Sequence, residues 1–131
     1  MHKTIQSAVF AATMLLAGGA QALTIGEIDV KSMLGERFEA SIPVRLAAGE
    51  DVTPNCIRLE DSPNTKYKTV PALFRYNMKV ERNGSNLLVR ISTNEGLSEP
   101  AVRIGLVIRC GAKLSTSREF MVTQKLADTA K

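Results

Sequence analysis

The chain has 131 residues, of which 17 are Lys or Arg, 13 are Asp or Glu, two are Cys and one is His. This length favours a single domain, and 44% hydrophobic with 23% charged residues is typical of a globular protein rather than a disordered one. The only histidine, His2, lies beside the initiator methionine, so a chain cleaved after it has no imidazole for nucleophile activation or zinc ligation. The composition therefore argues against most enzymes.

Residues 1–22 have the pattern of a secretory signal peptide. A basic start at His2 and Lys3 is followed by an apolar run over 8–17 and a small-x-small cleavage site over 20–22. The run is shorter than the roughly 20 residues that cross a bilayer, so we expect export to the periplasm rather than membrane anchoring. The alternative is a buried N-terminal helix. Removing 22 of the 131 residues leaves 109 with a net charge of +3, because Lys3 is lost.

Most of the remaining sequence alternates apolar and polar residues, which is the period of a half-buried strand. The apolar rows of the three clearest runs are Phe38, Ala40, Ile42, Val44 and Leu46; Phe74, Tyr76, Met78 and Val80; and Val102, Ile104, Leu106, Ile108 and Cys110. Further strands are predicted over 25–30, 56–60, 87–93 and 118–124. Roughly seven short strands separated by turn signals predict an all-β fold, a small antiparallel β-sandwich of immunoglobulin-like size.

Local signals refine this prediction. Arg82-Asn83-Gly84-Ser85 contains the Asn-Gly dipeptide that favours a tight hairpin, because both central residues tolerate positive φ. Pro43 lacks a backbone donor, so we expect its strand at a sheet edge, or the proline at an unpaired position. The segment 61–72 is expected to be a long loop or one short helix. The domain is expected to span residues 23–125, with a C-terminal tail over 126–131.

Cys56 and Cys110 are separated by 54 positions, and in an oxidising compartment an intramolecular disulfide is the expected state. A C-x-x-C motif is absent, so we favour a structural bond over a catalytic dithiol, with a mixed disulfide to a partner as the alternative. The spacing is compatible with an immunoglobulin-like arrangement, although the core Trp is absent and Ile108 stands where such domains have Tyr. Because Cys56 is out of phase with Ile57, we expect a bulge or a strand end there.

Paired carboxylates occur at Glu50-Asp51 and Glu60-Asp61. Adjacent residues on a strand point to opposite faces, so we interpret both pairs as polar turn residues rather than as a catalytic pair. The sequence contains no Walker loop, calcium loop, H-E-x-x-H or G-x-S-x-G motif. We therefore expect no enzymatic activity, no metal site and no cofactor.

Cations on the polar faces of the strands are the candidate docking residues, namely Arg75, Lys79, Arg90, Arg103 and Arg109. If the three strands that carry them are neighbours in a meander, their outer faces form one basic surface for anionic wall polymer, lipid headgroups or an acidic protein. The alternative is a solvated sheet face with charges that prevent edge pairing. Nucleic acid is not expected, because the compartment is wrong and Tyr67 and Tyr76 give no stacking platform.

Three stretches resemble the N-terminal periplasmic domain of FimV-type pilus-assembly proteins. Residues 23–43 contain Gly26-Glu27-Ile28 and then Ser32-Met33-Leu34-Gly35, which match the family's G-E-I/L strand and its S-x-L-G-x-x-L/F-x-A-x-I pattern. The hairpin over 78–90 is followed by Ser98-Glu99-Pro100, and Arg118-Glu119-Phe120 is similar to the family's terminal R-E-Y strand. The similarity spans about residues 23–124. The chain departs from the family in its two cysteines and in lacking the usual tryptophan of the final hairpin.

The resemblance implies an envelope protein connected with type IV pilus assembly, twitching motility or polar organisation. Full-length members add a peptidoglycan-binding LysM module, a transmembrane helix and an acidic cytoplasmic region, so we expect this sequence to be a stand-alone exported domain. The expected function is that of a non-enzymatic periplasmic accessory protein that contacts a pilus or secretion component through a sheet edge or the cationic face. The alternative is a small periplasmic ligand-binding or inhibitor module, for example one that recognises peptidoglycan. The third alternative is an enzyme that works without histidine.

Overall fold

The computed structural model describes residues 23–111 and 114–126 of the chain. The predicted signal peptide over 1–22 and residues 127–131 of the predicted tail lie outside this description. The described residues form eight strands, which are β1 (Thr24–Ile25), β2 (Asp29–Val30), β3 (Arg37–Arg45), β4 (Ile57–Leu59), β5 (Tyr76–Asn83), β6 (Asn86–Gly96), β7 (Ala101–Cys110) and β8 (Leu114–Thr123). A short 3₁₀ helix, Pro54–Cys56, directly precedes β4.

The strands form two antiparallel sheets. In the first sheet, β1 and β2 both pair with β3, which pairs with β6, and β5 completes the sheet at the opposite edge. In the second sheet, β7 lies between β4 and β8. With β1 and β2 counted as one interrupted strand, this order is that of a constant-type immunoglobulin domain, with strands A, B, E and D in one sheet and C, F and G in the other. The predicted β-sandwich is therefore confirmed.

The core lies between the two sheets and confirms the predicted alternation. The buried rows are Phe38, Ala40, Ile42 and Val44 on β3; Leu87, Val89 and Ile91 on β6; Val102, Ile104, Leu106 and Ile108 on β7; and Phe120 and Val122 on β8. Alternate residues of a strand point to opposite faces, so each strand gives one row to the core and leaves the other on the surface. No described residue belongs to a helix that is long and apolar enough to cross a membrane.

The predicted row that begins at Phe74 is wrong at its first residue. Phe74 is 67% exposed, whereas Tyr76, Met78 and Val80 are half-buried and pack against the core. Arg75 has φ of 59°, a left-handed conformation that interrupts the extended chain. Strand β5 therefore begins after Arg75, and Phe74 does not share its face.

Pro43 lies on an inner strand, at a position whose backbone nitrogen makes no hydrogen bond to β6. This is the second of the two predicted outcomes, a proline at an unpaired position. The N–H of Gly26 donates to the Pro43 carbonyl at 2.8 Å, so the polar backbone side of Pro43 faces the β1 and β2 edge. That edge is interrupted between the two short strands, over residues 26–28. The missing N–H of the proline therefore removes no hydrogen bond between β3 and β6.

The β5–β6 hairpin is confirmed, but its turn lies one residue later than predicted. Asn83 pairs with Asn86, so the central residues are Gly84 and Ser85. Only Gly84 has positive φ, at 65°, which is the pattern of a type II′ turn with glycine first. Asn83 therefore serves as the last residue of β5.

Two predicted strands have different boundaries in the structure, and a third segment adopts one of its two predicted forms. The predicted strand over 25–30 is divided into β1 and β2, and β8 begins at Leu114 rather than at residue 118. Residues 61–72 form a loop of turns, and at its end Ala72 makes an isolated parallel bridge to Arg103. The loop is the first of the two predicted forms.

Cys56 and Cys110 form the predicted disulfide, with their Cα atoms 5.1 Å apart. Its place in the fold differs from the immunoglobulin pattern, in which the bond joins strands B and F of different sheets. Here Cys56 ends the 3₁₀ helix before β4 and Cys110 ends β7, and β4 and β7 are neighbours in the same sheet. The bond thus fastens a strand end, and this position explains why Cys56 is out of phase with Ile57.

Candidate interaction surfaces

The five cations of the predicted docking face do not lie on one sheet. Lys79 and Arg90 are direct cross-strand partners on β5 and β6, and Arg75 precedes β5. Arg103 and Arg109 lie on β7, which belongs to the other sheet. The meander on which a single continuous surface depended is therefore not formed.

Arg90 and Lys79 differ in how they are paired. The Nε atom of Arg90 lies 3.0 Å from a carboxylate oxygen of Glu81, the outward-facing residue two positions along β5 from Lys79. Lys79 has no carboxylate within ion-pair distance among residues 23–111 and 114–126. Of the pair, Lys79 is the cation with its charge available to a partner.

Arg103 holds the loop over 61–72 against β7. Its side chain is only 14% exposed, and its Nη2 atom donates to Asp61 at 2.7 Å. Its Nη1 atom donates to the carbonyls of Tyr67 and Val70. A guanidinium suits this position because its fork of donors can satisfy several acceptors at once. Arg103 is therefore a structural residue, and it is not accessible for docking.

Arg109 belongs to an exposed ion-pair cluster. Its Nη1 atom lies 3.5 Å from Glu60, and the same carboxylate lies 3.8 Å from Arg58. The side chains of Arg109 and Arg58 are more than half exposed, so solvent screens both contacts. This cluster is compatible with the interpretation of Arg109 as a solvated surface charge.

The two carboxylates of each adjacent pair contact different partners. Glu50 accepts the N–H of Ala47 at 2.8 Å, as a turn residue does, and Asp51 lies 3.8 Å from Arg82. Glu60 pairs with arginines of the exposed cluster, and Asp61 pairs with Arg103. Neither pair converges on a common partner, as the interpretation as turn residues predicts. In the described ranges, no group of three His, Cys, Asp or Glu side chains could hold a metal ion.

The outer face of the first sheet carries two adjoining grooves. One is lined mainly by polar side chains, those of Lys31, Glu39, Ser41, Asn77, Lys79, Arg90 and Ser92. The other lies toward the β5–β6 turn, and its lining includes Pro43 and Leu88. Both are open and shallow, and no residue in them is a nucleophile beside a base.

Phe74 is the most exposed aromatic residue for which the structure describes the side chain. Its ring lies 5.9 Å from the guanidinium carbon of Arg75, and both residues line a hollow that extends to Leu97. Single exposed apolar residues are common on protein surfaces, and the left-handed Arg75 beside it makes Phe74 a candidate contact residue. Sequence alternation placed Phe74 in the core, so this candidate was missed.

The residues of the opening motif form a turn that is tied to the rest of the domain. Glu36 accepts the N–H of Met33 at 2.8 Å, and Gly35 supplies a positive φ of 90°. The Gly35 N–H donates to the Leu97 carbonyl, and the Leu97 N–H donates back to Glu36, both at 2.9 Å. The Leu34 N–H donates to the carbonyl of Lys125 at 2.8 Å. The turn thus connects the beginning of the domain to the β6–β7 connection and to the end of the domain.

Arg118, the first residue of the R-E-F motif, makes a second connection. It donates to the Ile25 carbonyl at 2.9 Å and to the Glu27 carboxylate at 2.6 Å, across 93 and 91 positions of sequence. Its guanidinium also lies 5.0 Å from the ring of Phe120. The two motifs therefore hold the first and last strands of the domain together.

Residues 23–126 match the family model described as the FimV N-terminal domain, an Ig-like domain. The match covers most of the chain and includes every described element. No curated protein and no solved structure shows a significant match.

Proposed function

The chain belongs to the FimV N-terminal Ig-like domain family, and we propose that it is a non-enzymatic periplasmic accessory protein that acts through protein–protein contact. The assembly it would support is one of the cell envelope, such as a type IV pilus or a secretion system. The proposal rests on the family and on an exposed aromatic residue on the surface that the structure describes.

Phe74 is the observation that carries this proposal. An aromatic side chain that is 67% exposed buries a large apolar area when a partner covers it, and aromatic residues are enriched among the side chains that dominate interface energetics. Arg75 beside it adds a cation that can pair with an acidic group of the partner. Together they form a small contact site next to the first residues of β5.

The test is site-specific photo-crosslinking in living cells, with the photoreactive amino acid at position 74. The matched control carries it at Met121, a 45% exposed residue on β8 at the other side of the sandwich. We expect an adduct with a pilus or secretion protein at position 74 and not at position 121, identified by mass spectrometry. Equal labelling at both positions, or no protein adduct, would contradict the proposal.

A second candidate function, recognition of peptidoglycan, is favoured by the polar groove on the first sheet. Amide, hydroxyl and cationic groups from Asn77, Ser92 and Arg90 converge there, as a site for a polar sugar–peptide ligand requires. Co-sedimentation with purified cell-wall sacculi tests it. Binding that is lost in Arg90→Ala but retained in Phe74→Ala would favour this function over protein contact.

A further inference from the structure

Strand β5 has an open backbone edge, which follows from the register of the first sheet. The polar groups of Pro43 face β1, so its partner on β6, Leu88, directs its own polar groups toward β5. Leu88 pairs with Glu81, and bonded positions recur at every second residue. The backbone donors and acceptors of the alternate residues, Tyr76, Met78, Val80 and Arg82, therefore face away from β6. In the part of the chain that the structure describes, none of these groups has a backbone partner.

The other described edges differ from that of β5. β1 and β2 have two residues each and β4 has three. β8 has ten residues, and the side chain of its Arg118 bonds to the N-terminal segment. β5 has eight residues, no proline and no break in its register. Natural proteins block long open edges with short strands, prolines, bulges or charges. β5 lacks the first three, and its outward charges Lys79 and Glu81 are of opposite sign.

The sequence of β5 is complementary to itself in one antiparallel register. With a two-fold axis at Val80, Lys79 of one copy lies opposite Glu81 of the other, and the reverse pair forms as well. Asn77 lies opposite Asn83, also twice. All these side chains are on the outer face, where cross-strand opposite charges and amide pairs stabilise a sheet. Lys79 has no intrachain carboxylate partner among the described residues, whereas Glu81 would share its carboxylate between Arg90 of its own chain and Lys79 of the other.

Neighbouring registers lack this complementarity. The residues whose backbone groups face the open edge must lie opposite each other in the dimer. The two-fold axis can therefore lie only at a residue of β5 and not between two residues. An axis at Lys79 opposes two lysines, one at Glu81 opposes two glutamates, and one at Arg82 opposes two arginines. An axis at Met78 places Lys79 opposite an uncharged asparagine. The register about Val80 is thus selected by charge.

We propose that the chain forms a symmetric dimer in which the β5 strands of two copies pair antiparallel about Val80, so that the first sheets join into one continuous sheet. Three edge-facing pairs, each with two bonds, give six backbone hydrogen bonds across the axis. The half-buried row of Tyr76, Met78 and Val80 would be covered at its open side. Such an isologous contact uses one patch on both copies and closes at two subunits. The proposal is independent of the proposed function, because its tests need no other protein.

The first test is a charge swap read by sedimentation equilibrium of the purified exported domain between about 1 and 300 µM, the range of weak interfaces. Lys79→Glu places one glutamate opposite Glu81 in each of the two pairs, so we expect the dimer Kd to rise about tenfold or more. Glu81→Lys should weaken the dimer similarly, and the double swap Lys79→Glu/Glu81→Lys should restore it to within about threefold. Lys125→Glu, the same charge change at an exposed lysine outside β5, is the control and should leave the Kd unchanged.

Glu81→Lys also removes the intrachain pair with Arg90, so thermal unfolding of each variant is measured beside its Kd. If the double swap restores the Kd, the single swaps act through pairing across the axis and not through damage to the fold. A wild-type chain that stays monomeric to the highest concentration, or a dimer indifferent to the single swaps, would overturn the proposal.

The second test fixes the register by oxidative crosslinking. Cα atoms of directly opposed residues are about 5.5 Å apart in bonded pairs such as Val80 and about 4.5 Å apart in non-bonded pairs such as Lys79 with Glu81, both within the range that a disulfide bridges. Val80→Cys should therefore form a covalent dimer on non-reducing gels, as should a mixture of Lys79→Cys and Glu81→Cys. Lys79→Cys alone should not, because its copies are separated diagonally by about 7–8 Å. The opposite pattern would show that the register is wrong.

Discussion

Replacing Arg103 with alanine tests whether this residue holds the loop over 61–72 in place. The change removes donors from the carbonyls of Val70 and Tyr67 and from the carboxylate of Asp61. It also opens the space filled by a side chain that is only 14% exposed. We expect the loop to lose its attachment to β7 while the two sheets remain intact.

The magnitude follows from the exposure of each partner. Asp61 is 58% exposed and is rehydrated when the arginine is lost, so its ion pair contributes at most about 1 kcal/mol. The hydrogen bond from a charged donor to the half-buried Val70 carbonyl contributes roughly 1.5–3 kcal/mol. The contact to Tyr67 is long, at 3.4 Å, and adds little. The free energy of unfolding should therefore fall by about 3 kcal/mol, which lowers Tm by roughly 10–20 °C in a domain of this size.

The assay is urea unfolding followed by far-UV circular dichroism, since the chain has no tryptophan. Arg109→Ala is the matched control, because it removes the same side chain from the same strand but from an exposed contact of 3.5 Å to Glu60. It should cost less than about 0.5 kcal/mol. Arg103→Lys keeps the charge without the fork of donors and should recover less than half of the loss. Equal losses for the two alanine variants would refute the assignment of Arg103 as the loop's anchor.

The remaining predictions concern the connections between distant parts of the domain. Gly96→Ala should destabilise the protein by about 1–3 kcal/mol, because a Cβ atom there would overlap the carbonyl of Gly35; chemical denaturation measures it. Replacing both Cys56 and Cys110 with serine should cost about 4 kcal/mol in the chain-entropy model, seen as a lower urea midpoint; an unchanged midpoint would contradict this. Arg118→Ala should speed hydrogen exchange over residues 24–30 more than elsewhere, whereas uniform acceleration would indicate global destabilisation instead.

The strands were predictable because their physical cause is local. Ile42, Val89 and Ile104 are buried where the alternation of apolar residues places them, since a strand with one face in the core needs that period. The choice of sheet was not predictable from the same pattern. The alternation of β7 is identical whether it pairs with β6 or with β4, and only the packing of the whole chain assigns it to the second sheet.

The candidate site was harder to predict because its properties come from long-range contacts. Arg103 lies on the polar face of β7, as the alternation indicates, yet a loop about 40 positions away in sequence folds over it and removes it from solvent. Phe74 fits the apolar row of β5, yet the left-handed Arg75 separates it from the strand. In both cases the alternation assigned the residue to one face of a strand, but the conformation of the surrounding chain determined how exposed its side chain is.

Two of the three motifs that carry the family resemblance close the domain, whereas the third, the hairpin over 78–90, contains most of the proposed dimer edge. The opening turn bonds to Leu97 and Lys125, and Arg118 bonds to the N-terminal segment, so both motifs serve to close the domain. Phe74 lies outside all three motifs, and β5 lies at the opposite edge of the first sheet from β1. The side chains of Phe74 and Lys79 make none of the contacts that close the domain. For this reason the crosslinker at position 74 and the Lys79→Glu swap probe contacts with other chains while leaving those closing bonds in place.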